Sequence, residues 1–428
     1  MFAQVLKKKI LDRTAKVAVI GLGYVGLPNA INKAESGYIV KGIDLNQEKI
    51  QKLNSGISYI IDISNERVEN YLKTSEFTTN FDTIEDCDVI FIAVPTPIDE
   101  FNIPDMSYLD NVSKIILSHA RKGQLIILES TTYPTSTDEF FVKPLQQAGF
   151  TIGSDIFIVF SPERIDPGNK LYQLENTPKV VGGYTETCKD LGATMIGNRA
   201  HTVSSLETAE MAKLFENTFR FVNIALADEL SKLCSELNIS SYEVLDAAAT
   251  KPFGFMKFTP SAKIGGHCIA VDPYYLQWYM KGRGMSTPLI DASGAIDQSM
   301  VSFLKDKIIE LLTLYKIPIY DSKIAVIGVS YKENVPDTRM SCIPALYNEL
   351  KKLSIDTDIY DPYVDSLNID DITIPVLDID YEKLKQADLT IIITAHDCID
   401  YSKLANGGKI ILDTKGVYKT EHDNIHVL

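Results

Sequence analysis

The sequence is short of positive charge, of paired cysteines and of long apolar runs, and each shortage excludes a class of protein. Lys and Arg number 42 against 57 Asp and Glu, which leaves a net charge of -15 and a pI near 4.9. A nucleic-acid backbone needs a basic face, so no nucleic acid is expected as a partner. Phosphate-bearing small molecules stay open, because a few local donors suffice to hold them. The six cysteines (Cys87, Cys188, Cys234, Cys268, Cys342 and Cys398) include no CxxC spacing. That argues against a disulfide framework or a metal cluster and favours a reducing compartment. No stretch approaches the roughly 20 apolar residues of a membrane span, and MFAQVLKKKILDRTAKVAVIG does not read as a signal peptide. A cytoplasmic protein with no membrane partner and no metal is expected.

What is present is a globular composition, 45% apolar and 23% charged, in a chain too long for one ordinary core. Short β-branched runs at Val17–Ile20, Ile39–Ile43, Asp88–Val94, Leu125–Glu129 and Ile156–Phe160 alternate with amphipathic stretches. That alternation predicts a parallel sheet covered by helices on both faces. From Ser204 to Leu237 there is no Gly or Pro, which predicts one long helix. Near Asp321 the βα pattern returns, and KIAVIGVSYKE resembles the opening KVAVIGLGYVG. The expected fold is therefore α/β, with two Rossmann-like, doubly wound parallel-sheet domains joined by a central helical domain. The expected divisions are residues 1–203, 204–310 and 311–428.

Gly21-Leu22-Gly23-Tyr24-Val25-Gly26 follows an apolar strand and precedes a helix-like stretch, the context that gives GxGxxG meaning. Gly21 permits the tight turn, Gly23 the approach of a pyrophosphate and Gly26 close helix packing. Asp44 ends the second strand, where a carboxylate binds ribose hydroxyls and repels a 2′-phosphate. NAD is the expected cofactor. Pro95-Thr96 and Ser130-Thr131 end further strands, at the edge where open α/β sheets bind ligands. Taken alone, they also read as a turn and a helix cap.

Gly265-Gly266-His267-Cys268, with Asp272 four residues on, combines a flexible backbone with a thiol. A thiolate is a competent nucleophile, yet a lone cysteine is usually a small buried apolar residue. The other five cysteines are read in that way. Glu210, Lys213, Asn217 and Arg220 share one face of the long helix. They read either as a solvated stripe with a Glu210–Lys213 ion pair or as donors aimed at an oxyanion.

Together the segments resemble the UDP-glucose/GDP-mannose dehydrogenase family nearly end to end. The matching motifs are GLGYVGLP at 21–28, VPTP at 94–97, PDMSYL at 104–109, ESTTYP at 129–134 and SPERIDPGN at 161–169. They continue with PKVVGG at 178–183, EMAKLFENTFR at 210–220, GGHC at 265–268 and YKENVPDTR at 331–339. The resemblance implies an NAD-dependent four-electron oxidation of a nucleotide-sugar C6 alcohol to a carboxylate, with Cys268 as covalent nucleophile, in surface polysaccharide precursor synthesis. It implies Lys213 and Asn217 at the oxyanion, Asp272 orienting water or Lys213, and Glu163 as a base for hydrolysis. Arg339 would reach the NAD pyrophosphate and Lys332 the sugar-nucleotide phosphates. Arg164, Arg220, Gly265, Gly266 and His267 would also contact substrate. Lys415 sits near an arginine that the family often contributes across a dimer interface, so a homodimer is implied. GGHC with VDPYYL resembles the branch acting on UDP-N-acetylhexosamines. AATKPFGFMKF at 248–258 is similar to its UDP-N-acetylglucosamine 6-dehydrogenases, whereas Ala270 in GGHCIAVDP is nearer the mannosamine type. The family's usual PGPGLGGHC is here PSAKIGGHC, so Ser261, Ala262 and Lys263 replace a Gly-rich stretch.

Overall fold

The computed structural model describes residues 1–428 except 61, 167, 170, 267, 408, 420 and 421. His267, expected to contact substrate, lies outside the described residues. The chain divides into two compact units. One is Met1–Glu216 with Tyr274–Tyr279, and the other is Asn217–Pro273 with Met280–Leu428.

The first unit is built on eight strands: β1 (Lys16–Ile20), β2 (Ile39–Ile43), β3 (Glu76–Thr78), β4 (Val89–Ile92), β5 (Leu125–Leu128), β6 (Phe157–Phe160), β7 (Lys179–Gly183) and β8 (Ala200–Thr202). Their order is β3-β2-β1-β4-β5-β6-β7-β8. Every pair is parallel except β6 with β7, which is antiparallel. All four residues of each of β4, β5 and β6 are buried. Continuous apolar runs of this kind suit a sheet covered on both faces. The five strands expected from sequence are present. Val94 and Glu129 fall just beyond the ends of β4 and β5, which leaves their side chains and backbone to the site. The sequence reading missed β3, β7 and β8. Two of these have only three residues, and β7 opens on a lysine and closes on two glycines.

The second unit carries β9 (Lys323–Ile327), β10 (Asp356–Tyr360), β11 (Ser366–Ile369), β12 (Ile372–Pro375), β13 (Leu389–Ile392), β14 (Ile411–Asp413) and β15 (Ile425–Val427). Five of them form a parallel sheet in the order β10-β9-β13-β14-β15, while β11 and β12 make a separate antiparallel hairpin. The internal repeat is structural as well as textual. Gly21 and Gly328 both have φ of 88°. An added Cβ would meet the carbonyl of Ala93 at 2.4 Å in the first case and that of Thr394 at 2.5 Å in the second. Each glycine lets the turn after its strand pass under the neighbouring strand's end.

The long helix spans Leu206–Glu236. It buries Ala209, Leu214, Phe221 and Ala225, as the amphipathic rule expects, but polar residues as well. Glu210, Lys213 and Asn217 are buried, whereas Met211, Phe215, Phe219, Leu226 and Leu233 are exposed. No helix among the described residues is long and apolar enough to cross a membrane.

Candidate functional site

In the first unit, the turn after β1 is held by geometry that only glycine allows. A Cβ on Gly26 would lie 1.7 Å from the Gly21 carbonyl oxygen, whereas a Cβ on Gly23 would meet nothing within 4 Å. The first glycine is therefore needed for packing, and the second faces open space. Tyr24 and Val25 are half-buried beside them. The Asp44 carboxylate accepts the Leu22 amide at 2.8 Å and the Asn46 amide at 2.9 Å, and Lys49 lies 3.6 Å away. Tyr59 donates its hydroxyl to the Leu22 carbonyl, a second brace that the sequence reading missed. At the carboxyl ends of β4 and β5, Pro95 is exposed, Thr96 and Ser130 are buried and Thr131 is half-buried. The Ser130 hydroxyl donates to the Val94 carbonyl at 2.8 Å. The neighbouring Thr132 hydroxyl oxygen is buried without a hydrogen-bond partner. An open glycine turn at a helix N-terminus, an acid at the end of β2 and an unspent hydroxyl at the end of β5 fit the pyrophosphate, ribose and nicotinamide ends of a dinucleotide.

The same sheet edge carries Glu163. It is 7% exposed, accepts the Arg164 amide at 2.8 Å and pairs with Lys179 at 2.8 Å. Lys179 also binds Glu129. Burial tends to raise the Glu163 carboxyl, but the Lys179 ammonium prevails and holds it below the usual range, with Lys213 helping. The Arg164 guanidinium is engaged by Glu216 and by the Pro178 carbonyl. Glu210 corrects the expected ion pair with Lys213. Its carboxylate is spent on the segment after Pro134, accepting the amides of Thr135 and Thr137 and the hydroxyls of Ser136 and Thr137.

In the second unit, Cys268 is half-buried in a turn. Its carbonyl accepts the amides of Val271 at 3.1 Å and Asp272 at 2.8 Å, so the cysteine stands one turn before helix Asp272–Gly282. A helix N-terminus favours negative charge there. Asp272 is 2% exposed and its carboxylate accepts the Asn217 side-chain amide. Arg220, one turn further along the helix, is exposed. The loop that departs from the family pattern is tied down by carboxylates. Asp228 accepts the Ser261 amide at 2.5 Å and its hydroxyl, and Asp297 accepts the Ile264 amide at 2.6 Å. Burial pushes Asp228 up to about 7 and Asp297 up to about 6.

Gly265 and Gly266 pack against Tyr331. Added Cβ atoms would lie 2.5 and 2.9 Å from its side chain, and the Gly266 amide donates to the Arg339 carbonyl at 3.3 Å. The cysteine turn thus rests on the segment bearing Lys332, which is half-buried, and Arg339, whose guanidinium grips Asp337. Lys415 is half-buried. Burial lowers its ammonium, with the Asp228 carboxyl among the groups that counter this. Cys87, Cys188, Cys234 and Cys342 are buried, as small apolar residues would be, but Cys398 is exposed. The sequence reading missed Lys179, Asp228, Asp297 and His396. Only Lys179 had a signal, as a charged residue opening the PKVVGG strand.

Two α/β halves, one with a dinucleotide turn, and a thiol on a glycine turn define a dinucleotide-dependent oxidoreductase. The chain belongs to the UDP-glucose/GDP-mannose dehydrogenase family. The family's NAD binding domain matches residues 15–198, its central domain 207–299 and its UDP binding domain 325–420. It is an NAD-dependent oxidoreductase acting on a UDP-sugar. Protein CapL of Staphylococcus aureus is 34% identical over 96% of this chain and 97% of its own length. The UDP-N-acetyl-D-glucosamine 6-dehydrogenase of Salmonella typhi is 36% identical over 82% of this chain and 83% of its own. The solved UDP-D-ManNAc dehydrogenase of Pyrococcus horikoshii superposes with a TM-score of 0.86 at 30% identity, covering 96% of this chain and 98% of that one.

Proposed function

We propose that the enzyme oxidises the C6 alcohol of UDP-N-acetylglucosamine to the uronate, with Cys268 as covalent nucleophile, in surface polysaccharide precursor synthesis in the cytoplasm. The reading treats residues 1–203 as the NAD part, 204–310 as the helical part carrying the reactive side chains and 311–428 as the UDP-sugar part. The observation that carries the covalent chemistry is the Cys268 turn, whose carbonyl caps Asp272 while Asp272 is bound by Asn217. NAD, when bound, supplies the acceptor for hydride leaving C6. The Cys268 sulfur adds to the resulting aldehyde, forming a C–S bond and a thiohemiacetal. Loss of a second hydride, to a second NAD, with the thiohemiacetal hydroxyl proton passing to water, leaves a thioester. Glu163 takes a proton from water as its oxygen attacks the thioester carbon, the C–S bond breaks and the thiol is restored. Lys213 and Asn217 are assigned to the oxyanion. Gly21, Gly23, Tyr24, Val25, Gly26, Asp44, Pro95, Thr96, Ser130, Thr131 and Arg339 are assigned to NAD. Arg164, Arg220, Gly265, Gly266, Lys332 and Lys415 are assigned to the nucleotide sugar.

The glucosamine reading is supported by AATKPFGFMKF and by the Salmonella typhi relative. UDP-N-acetylmannosamine is the second reading, supported by Ala270 and by the Pyrococcus horikoshii structure. A panel of UDP-glucose, UDP-N-acetylglucosamine, UDP-N-acetylgalactosamine and UDP-N-acetylmannosamine, scored by NADH formed per sugar, tests both. Two NADH per sugar with UDP-N-acetylglucosamine, and no complete turnover by Cys268→Ser, are expected. One NADH per sugar with normal Cys268→Ser activity would sink the covalent reading.

A homodimer is proposed as well. The exposed Met211, Phe215, Phe219, Leu226, Leu233 and Leu237 form a stripe along the long helix, an apolar surface that a second copy would cover. Sedimentation of the wild type and of Phe215→Asp/Leu226→Asp tests it, with a monomeric wild type as the contrary result.

A further inference from the structure

We propose that Lys179 and Glu129 are positioning residues for Glu163, with Lys179 holding that carboxylate ionised and Glu129 competing for the same ammonium. The proposal rests on the reading of Glu163 as the hydrolytic base.

The arrangement follows from topology. β7 is the strand that runs antiparallel to β6, so it begins at the edge where β5 and β6 end. Its first residue, Lys179, therefore stands among the residues that follow those strands, Glu129 after β5 and Glu163 after β6. The three side chains are 3%, 0% and 7% exposed. Lys179 Nζ lies 2.8 Å from Glu163 Oε2 and donates also to Glu129 Oε1. Asn29, on the helix that follows the dinucleotide turn, donates to Glu129 Oε2 at 2.9 Å.

Two carboxylates thus share one buried ammonium. An isolated buried charge costs several kcal/mol, so one of the two acids must be the harder to ionise. The surroundings decide which. Glu163 has the Lys179 ammonium, the Arg164 amide and the nearby charge of Lys213. Glu129 is enclosed more fully, and burial raises its carboxyl despite Lys179 and Lys33. Lys33 is a weak counter-charge, because burial brings its ammonium down to about 7 and it is spent on the Met195 carbonyl. Glu129 is thus the acid that is harder to ionise, and Glu163 the one held low, as a base must be.

The two supporting residues therefore act in opposite directions on the same group, and a purely structural role would not do this. The test is the acid limb of the pH profile for kcat, measured with NAD and UDP-N-acetylglucosamine. Lys179→Met is expected to move the limb up by roughly one unit or more, with about a tenfold loss below it that is recovered at higher pH. Glu129→Gln is expected to move the limb down, and Lys179→Arg to restore it. If Lys179→Met does not fold, Lys179→Met/Glu129→Gln removes charge from both partners and should fold, with a limb above that of the wild type. Limbs that stay in place, or that shift the same way in Lys179→Met and Glu129→Gln, would overturn the proposal. Glu163→Gln separates the two ideas. If it blocks thioester hydrolysis while the limbs stay fixed, only the positioning role fails. If it turns over normally, the base assignment itself fails.

Discussion

Asp44 and Asp361 make the same bond in the two halves of the chain. Each accepts the amide of the residue after a positive-φ glycine, Leu22 at 2.8 Å and Val329 at 2.7 Å. Each also accepts the amide two residues on, Asn46 at 2.9 Å and Tyr363 at 2.8 Å, and they differ in exposure and in one further partner. Asp44 is partly open and keeps acceptor capacity for a ribose. Asp361 is buried and also takes His396 Nε2 at 3.1 Å. One NAD per chain is therefore expected by titration calorimetry. Asp44→Ala should weaken NAD by about 1.5–3 kcal/mol, the worth of hydrogen bonds to a charged group. Two NAD per chain, or unchanged affinity in Asp44→Ala, would contradict this division.

His396 links Asp361 to the segment that precedes Arg339. Its Nδ1 accepts the Asn334 amide at 3.0 Å, which assigns the remaining proton to Nε2 and directs it at Asp361. Asn334 is clasped again by Asp397 through two bonds of 2.8 and 3.0 Å. His396→Ala leaves a buried carboxylate and an amide short of partners, at about 1–3 kcal/mol. Faster hydrogen exchange at residues 331–339 and a raised KM for the UDP-sugar are expected, with the KM for NAD held. Equal changes in both KM values would argue against a local role.

Glu210 should be a stability residue. Four donors from Thr135, Ser136 and Thr137 converge on its buried carboxylate. Glu210→Ala strands them, and at least ~3 kcal/mol of stability should be lost in denaturant unfolding. A loss below ~1 kcal/mol would mean that water replaces the carboxylate.

Asp228 and Asp297 should make stability fall as pH rises. Burial lifts them from 3.8 to about 7 and about 6. Between pH 4 and 7 the folded chain therefore holds protons that the unfolded chain has released, so ν_U − ν_N is negative and unfolding free energy declines with pH. Each unit of difference is worth about 1.4 kcal/mol. Asp228→Asn imitates the protonated acid, and its Tm should exceed the wild-type value at pH 8 while matching it near pH 4. A constant offset across that range would refute the assignment.

The sheets were largely legible because parallel strands buried on both faces leave unbroken apolar runs, as at VIFI and LIIL. The glycine turn and the cysteine turn carried their own signatures. The long helix was legible in extent but not in orientation. Spacing puts Lys213 and Asn217 on one face without deciding between a solvated stripe and an inward one, and the structure buries them while Phe215 and Phe219 are exposed. Polar groups drawn inward by partners from distant segments leave no local pattern. Lys179 with Glu129 and Glu163, separated by 50 and 16 residues, is the same case, and so is Asp228 holding Ser261.

The two α-carbons at Gly265 and Gly266 are all that separates the Cys268 turn from the side chain of Tyr331. The 331–339 segment lies in the UDP binding domain, so on the proposed function seating of the nucleotide would also align Cys268. A sugar phosphate lacking the uridine should then lose turnover as well as affinity, because the part of the substrate far from C6 sets the geometry in which C6 reacts.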